Sequence, residues 1–153
     1  MKGVNKLSKE PNGIESLKIG EGVTFSKTIS ETDVYLFAGI TGDFSPNHVN
    51  EEYMKTTKYK KRIAHGVLSV AFMSTTSTLM GNMHRERCPD VVRVNYGYDR
   101  IRFIKPIFIG DTITVNYTIT EINLEKNTII ADVKVLNQRE DLVTVAQNIV
   151  KVL

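Results

Sequence analysis

The sequence predicts an α+β fold in which a curled antiparallel sheet wraps around one long central helix. Two observations predict it. Residues 65–83, HGVLSVAFMSTTSTLMGNM, are long enough for a helix and carry no charge between Gly66 and Met83. A helix without a charged face is buried on most sides, so another element has to cover it. The residues that follow alternate apolar and polar in several short runs divided by turns. That is the pattern of an antiparallel sheet, whose concave face would hold the helix.

Residues 1–20 read as a loose N-terminal lead-in, and residues 21–153 as one domain. Glu10-Pro11-Asn12-Gly13 and Ile19-Gly20-Glu21-Gly22 are turn sequences. Val23 to Ile29 is a short strand. A helix follows with a marked start: Ser30 is an N-cap and Asp33, three residues on, completes a capping-box arrangement. Val34, Phe37 and Ala38 share one face, and Gly39 and Gly42 end the helix. Residues 41–64 are a long loop holding a short helix, with Asn50 as N-cap and Glu51 and Glu52 at the positive end of the dipole. Long ordered loops often carry sites.

After the central helix, Val92, Val94, Tyr96 and Tyr98 alternate as a strand. Ile101 and Phe103 then continue the apolar face one residue out of phase, which predicts a β-bulge at Gly97–Arg100. Pro106 and Gly110-Asp111 mark a turn. Ile113, Val115, Tyr117 and Ile119 alternate again. After a turn at Asn123–Asn127, so do Ala131, Val133 and Val135. Asn137–Asp141 is a further turn. The last strand, Leu142 to Val152, is apolar on both faces in places, which puts it inside the sheet.

The chain has 153 residues, which suits one domain. A chain of this length buries roughly 70% of its unfolded surface and needs no staples. Its one cysteine, Cys88, allows no intrachain disulfide, as in a reducing compartment. No signal peptide or membrane-spanning run is visible, so a soluble cytoplasmic protein is expected. The net charge of +3, from 20 basic and 17 acidic residues, is too mild for a nucleic-acid binder and would not repel an anionic substrate.

Asp43 and His48, in Gly42-Asp43-Phe44-Ser45-Pro46-Asn47-His48, are the candidate catalytic pair. Pro46 keeps this stretch from being a regular helix. A stiffened loop can aim a carboxylate and an imidazole at one point. There one group takes a proton from water while the other gives one to carbon. The alternative is a solvated turn histidine. Ala64-His65-Gly66 opens the central helix. The free N–H groups there, with Gly66 allowing close approach, suit an oxyanion site; the alternative is that Gly66 serves helix–sheet packing. His65 reads as capping the helix or lining the site, and His84 is assigned no role. Lys58, Lys60, Lys61 and Arg62 form a basic run that would meet phosphates or simply be solvated. Arg93, Arg100 and Arg102 read as surface or ion-paired strand residues. Three histidines and one cysteine, widely spaced, do not make a zinc site. Nucleotide-binding and serine-hydrolase motifs are absent.

Thr41-Gly42-Asp43-Phe44-Ser45-Pro46-Asn47-His48, then Ile63-Ala64-His65-Gly66, then Arg100–Pro106 with Gly110-Asp111-Thr112, resembles the MaoC-like family, which includes (R)-specific enoyl-CoA hydratases. The family signature is an Asp-x-Asn-Pro-x-His loop followed by a His-Gly helix start. Ser45 stands where the family most often has Asn, and Ala71 where some members carry a helix serine. The resemblance covers about residues 20–153 and implies a hot-dog fold. It further implies that Asp43 and His48 bind and activate water and that the Gly66 N–H polarises a thioester carbonyl. The reaction would be syn hydration of a 2-enoyl thioester to an (R)-3-hydroxyacyl thioester, with Ser45, His65, Lys58, Lys60, Lys61 and Arg62 as substrate-binding candidates. The substrate would be an acyl-CoA or acyl carrier protein thioester. No metal or separate cofactor, nucleic acid or membrane is expected. A homodimer formed through the sheet, or a higher oligomer built on it, would place the site at the subunit interface. An acyl-CoA thioesterase and a non-catalytic acyl-CoA-binding domain stay open.

Overall fold

The computed structural model describes residues 13–153; the turn expected at Glu10–Asn12 lies outside them. Five antiparallel strands form one sheet in the order β1-β3-β4-β5-β2. They are β1 (Gly22–Thr28), β2 (Arg93–Phe103), β3 (Thr112–Asn123), β4 (Thr128–Leu136) and β5 (Leu142–Val152). The helices are α1 (Glu31–Thr41), α2 (Pro46–Val49), α3 (Glu51–Lys55) and α4 (Gly66–Arg85). This is the expected α+β arrangement, a hot-dog fold with α4 against the sheet.

The alternation read from β3 and β4 is the inner face of the sheet. Ile113, Val115, Tyr117, Ile119, Ala131, Val133 and Val135 are all buried and meet Leu68, Met73 and Met80 of α4. Removing such side chains from water drives the assembly at roughly 25 cal/mol per Å² of apolar surface. The polar groups among them are paired. The Tyr117 hydroxyl donates to Asn148 Oδ1 at 3.0 Å, and burial pushes its pKa up to about 12. Asn148 in turn donates to Asn95 Oδ1 at 2.9 Å and to the Gly97 carbonyl at 3.1 Å, stitching the bulge of β2 to β5.

That bulge is double, with register shifts at Asn95/Gly97 and Asp99/Arg102 and Arg100 at φ 54°. β5 lies inside the sheet, as its two apolar faces require. The capping box at Ser30 and Asp33 is formed.

Several expectations change. Residues 13–20 are not loose: Ile14 and Leu17 are buried in the core. Gly39 lies inside α1, and only Gly42, left-handed at φ 79°, ends it. The long loop holds two short helices rather than one. Val92, Val94 and Tyr96 face out of the single chain, because the bulge at Asn95/Gly97 flips the phase before Tyr98 turns in. Arg93 is not a surface residue throughout: its Nε and Nη2 are buried, and Nη1 lies 3.4 Å from the Gly81 carbonyl. α4 is covered by the sheet on one side only, with Val67, Ala71, Ser74, Thr78 and Met83 exposed. No helix among the described residues is long and apolar enough to cross a membrane.

Candidate active site

The chain between α1 and α4 wraps over the N-terminal end of α4. Gly42 reverses the backbone, and Pro46 begins a single helical turn, α2, that carries His48. Proline is well placed there, because the first helical N–H has no intrahelical acceptor. Pro46 therefore starts a helix here, where its place in the sequence predicts only an interruption.

Donor bonds orient both candidate catalytic groups. His48 Nδ1 lies 2.7 Å from the Ile63 carbonyl. A carbonyl only accepts, so Nδ1 carries the hydrogen and a neutral ring has its lone pair on Nε2. Ile63 is itself anchored, since its N–H donates to the Asn47 carbonyl and it bridges to Phe108. The Asp43 carboxylate accepts from the Ser45 N–H at 3.2 Å and stays half exposed. Ligand-bearing atoms of Asp43, His48 and His65 lie within 4.8 Å of one another. Asp43 and His48 share no direct hydrogen bond among the described residues, and the gap between them is one that a water molecule can bridge.

His65 belongs to this cluster more closely than its sequence position indicates. Its ring is buried, lies 3.8 Å from that of His48 between centroids, and puts Nε2 2.9 Å from the Asp43 carbonyl oxygen. It does not cap α4, because its side chain bonds to no first-turn N–H. It points back into the loop.

Gly66 is the first residue of α4, where a backbone N–H has no intrahelical acceptor. A Cβ at this position would sit 3.0 Å from the Phe103 ring. The glycine thus permits the close helix–sheet packing of its second reading. Gly66 and His48 line a cavity of about 230 Å³ with Tyr59, Phe103, Ile104 and Thr144. Ser69 Oγ donates to the Gly66 carbonyl at 2.6 Å and lies 3.0 Å from Thr144 Oγ1, which ties the first turn of α4 to β5. Tyr59 and Thr144 carry no motif in the sequence; the fold brings them to the site beside Phe103 of the Arg100–Pro106 stretch.

The basic run divides. Lys58 lies over the Tyr59 ring at 5.0 Å, Lys60 donates to the Lys55 carbonyl, and Lys61 is exposed. The Arg62 guanidinium is already held by Glu31, Glu51 and the Tyr35 hydroxyl. Its charge is thereby paired within the fold. Ser45 uses its backbone rather than its side chain, receiving the His48 and Val49 N–H groups at its carbonyl. His84 is buried in the last turn of α4 and bonded to Glu21 at 2.9 Å.

A family profile described as "MaoC like domain" matches residues 15–140. An (R)-specific enoyl-CoA hydratase of Rhodospirillum rubrum is 44% identical over 112 residues, covering 73% of this chain and 72% of that protein. The solved (R)-hydratase from A. caviae involved in PHA biosynthesis superposes with a TM-score of 0.75 at 25% identity, over 90% of this chain and 98% of the other. A monoamine oxidase regulatory protein from Archaeoglobus superposes at 0.78 and 31% identity, over 92% and 93% of the two chains.

Proposed function

The chain belongs to the MaoC-like domain family, and from that premise we propose that it hydrates 2-enoyl-CoA thioesters. It is an enoyl-CoA hydratase: water adds across the double bond and the product is an (R)-3-hydroxyacyl-CoA. The observation that carries the residue assignment is the convergence of Asp43 and His48 beside the free N-terminal end of α4.

In the proposed mechanism a water sits between the Asp43 carboxylate and the lone pair on His48 Nε2. The Gly66 N–H donates to the thioester carbonyl and stabilises the negative charge that develops on its oxygen. The water oxygen bonds to the β-carbon while its proton passes to the Asp43–His48 pair. The pair delivers a proton to the α-carbon from the same face, so addition is syn. The two groups act as one unit, and their titration belongs to the pair. Coenzyme A is part of the substrate, and no separate cofactor takes part. An acyl carrier protein thioester would present the same acyl group. The domain, whose core includes Ile14 and Leu17, acts in the cytoplasm as a homodimer. The cytoplasmic assignment is supported by the free Cys88 and by a thioester substrate. The dimer is supported by the outward apolar stripe of β2.

Crotonyl-CoA hydration, read as loss of the enoyl absorbance, tests the reading. Asp43→Asn and His48→Asn should each lower kcat at least about 10²-fold, the usual worth of a positioned acid or base, with unchanged circular dichroism. Full activity in both variants, or release of free thiol from a saturated acyl-CoA, would overturn it.

A further inference from the structure

We propose that His65 is a positioning residue for the hydration, setting the Asp43–His48 geometry through two separate contacts; the proposal rests on the hydratase reading above. The first contact is the bond from Nε2–H to the Asp43 carbonyl, 2.9 Å long. The remaining hydrogen bonds of residues 42–45 are local, joining near neighbours along the chain. Among the described residues, His65 therefore makes the one hydrogen bond that ties this stretch to the helix carrying Gly66. The second contact is with two aromatic rings, both tilted to that of His65. The His65 ring centroid lies 4.8 Å from that of Phe37 and 3.8 Å from that of His48. His65 is 2% exposed, so its ring has little room to move.

Together these contacts fix Asp43 from its backbone and His48 from its ring face. Asp43 otherwise sits on a solvent-facing turn and His48 on a one-turn helix, neither rigid alone. Misplacing a reacting group by about 1 Å can cost about 10²-fold in rate. His65 does not line the cavity at His48 and Gly66, so the cost should fall on kcat rather than KM.

The ring atom that matters is specified. Nε2 holds Asp43, whereas Nδ1 is buried with no partner among the described residues. A glutamine places its amide nitrogen near the position of Nε2, and an asparagine places it near Nδ1. The test is kcat and KM for His65→Gln, His65→Asn and His65→Leu beside wild type on an enoyl-CoA that the wild type hydrates. His65→Leu and His65→Asn should lose about 10²-fold in kcat with KM within about 3-fold, and His65→Gln should stay within about 10-fold of wild type. Wild-type kcat in His65→Leu, or equal losses in His65→Gln and His65→Asn, overturns the proposal. A second arm needs neither a variant nor turnover. Nitrogen-15 NMR of histidine-labelled wild-type protein should show the neutral His65 ring protonated on Nε2 and the neutral His48 ring on Nδ1. The opposite tautomer at His65 overturns the positioning role whether or not the chain is a hydratase. Failure of the hydratase reading shows separately, as a wild type that hydrates no enoyl-CoA.

Discussion

Glu21 shows how one carboxylate can couple stability to pH. Arg87 holds it with two bonds of 2.9 and 3.0 Å, and His84 approaches at 2.9 Å. The Arg87 bond is the main reason that its pKa falls from 4.5 to about 2. His84 is pulled below its ordinary 6.5, chiefly by burial and against the pull of Glu21. Both shifts have the same sign for stability. The unfolded chain binds the proton more readily at each group, so acidification favours unfolding. The His84 contribution is present above pH 6.5 and fades as pH drops below that value. The Glu21 contribution is present above pH 4.5 and is lost as pH falls towards about 2. The melting temperature should therefore fall steadily from pH 7 to pH 3, and Glu21→Gln should lower it at pH 7 while flattening the part below 4.5. A wild-type melting temperature independent of pH over that range would contradict this account.

Among the elements, α1 and α3 are joined by one side chain. Arg62 is 15% exposed and reaches Glu31 in the first turn of α1, Glu51 in the first turn of α3, and Tyr35. Both glutamates sit where a helix dipole favours negative charge. Removing the guanidinium would leave that charge unpaired and free the two helices to separate. Exposed pairs give up to about 1 kcal/mol, and this one is more sheltered and shared. Arg62→Met should destabilise the protein by about 1 kcal/mol in urea unfolding, with the difference shrinking at high salt. An unchanged unfolding midpoint would show that the clamp contributes nothing. Tyr59 lines the cavity from the same stretch, so the clamp also steadies one wall of the site.

For the molecule as a whole, the main question is what covers β2. It is an edge strand, and Tyr96 is 73% exposed beside Val92 and Val94. Unpaired edges with apolar side chains are hazards that proteins either blunt or pair. On the homodimer proposal, a second copy pairs here and also shields the exposed stripe of α4. Tyr96→Lys should then convert the dimer to a monomer in light scattering at micromolar concentration. A wild type that is already monomeric there would remove the proposal.

Local chemistry makes much of this protein legible in its sequence alone. Ser30 with Asp33, Asn50 and the turns near Gly110 and Asn137 act within a few residues, where spacing alone decides the outcome. The alternation from Ile113 to Val135 and the two-faced apolar character of β5 set the inner face of the sheet and the interior place of that strand. The Asp43–His48 spacing marks the candidate site. Distance along the chain hides the rest. His65 reads as a cap or as lining the site until its ring is seen turned back onto Asp43, and Arg62 reads as part of a basic run, phosphate-binding or solvated, until Glu31, Glu51 and Tyr35 are found around it. Val92–Tyr96 alternates correctly yet faces outward, because a bulge changes which side a strand presents without changing its composition. Those contacts join residues from 11 to more than 60 positions apart, as with Arg62 and Glu51 or His84 and Glu21. Only the folding of the sheet around α4 brings them together.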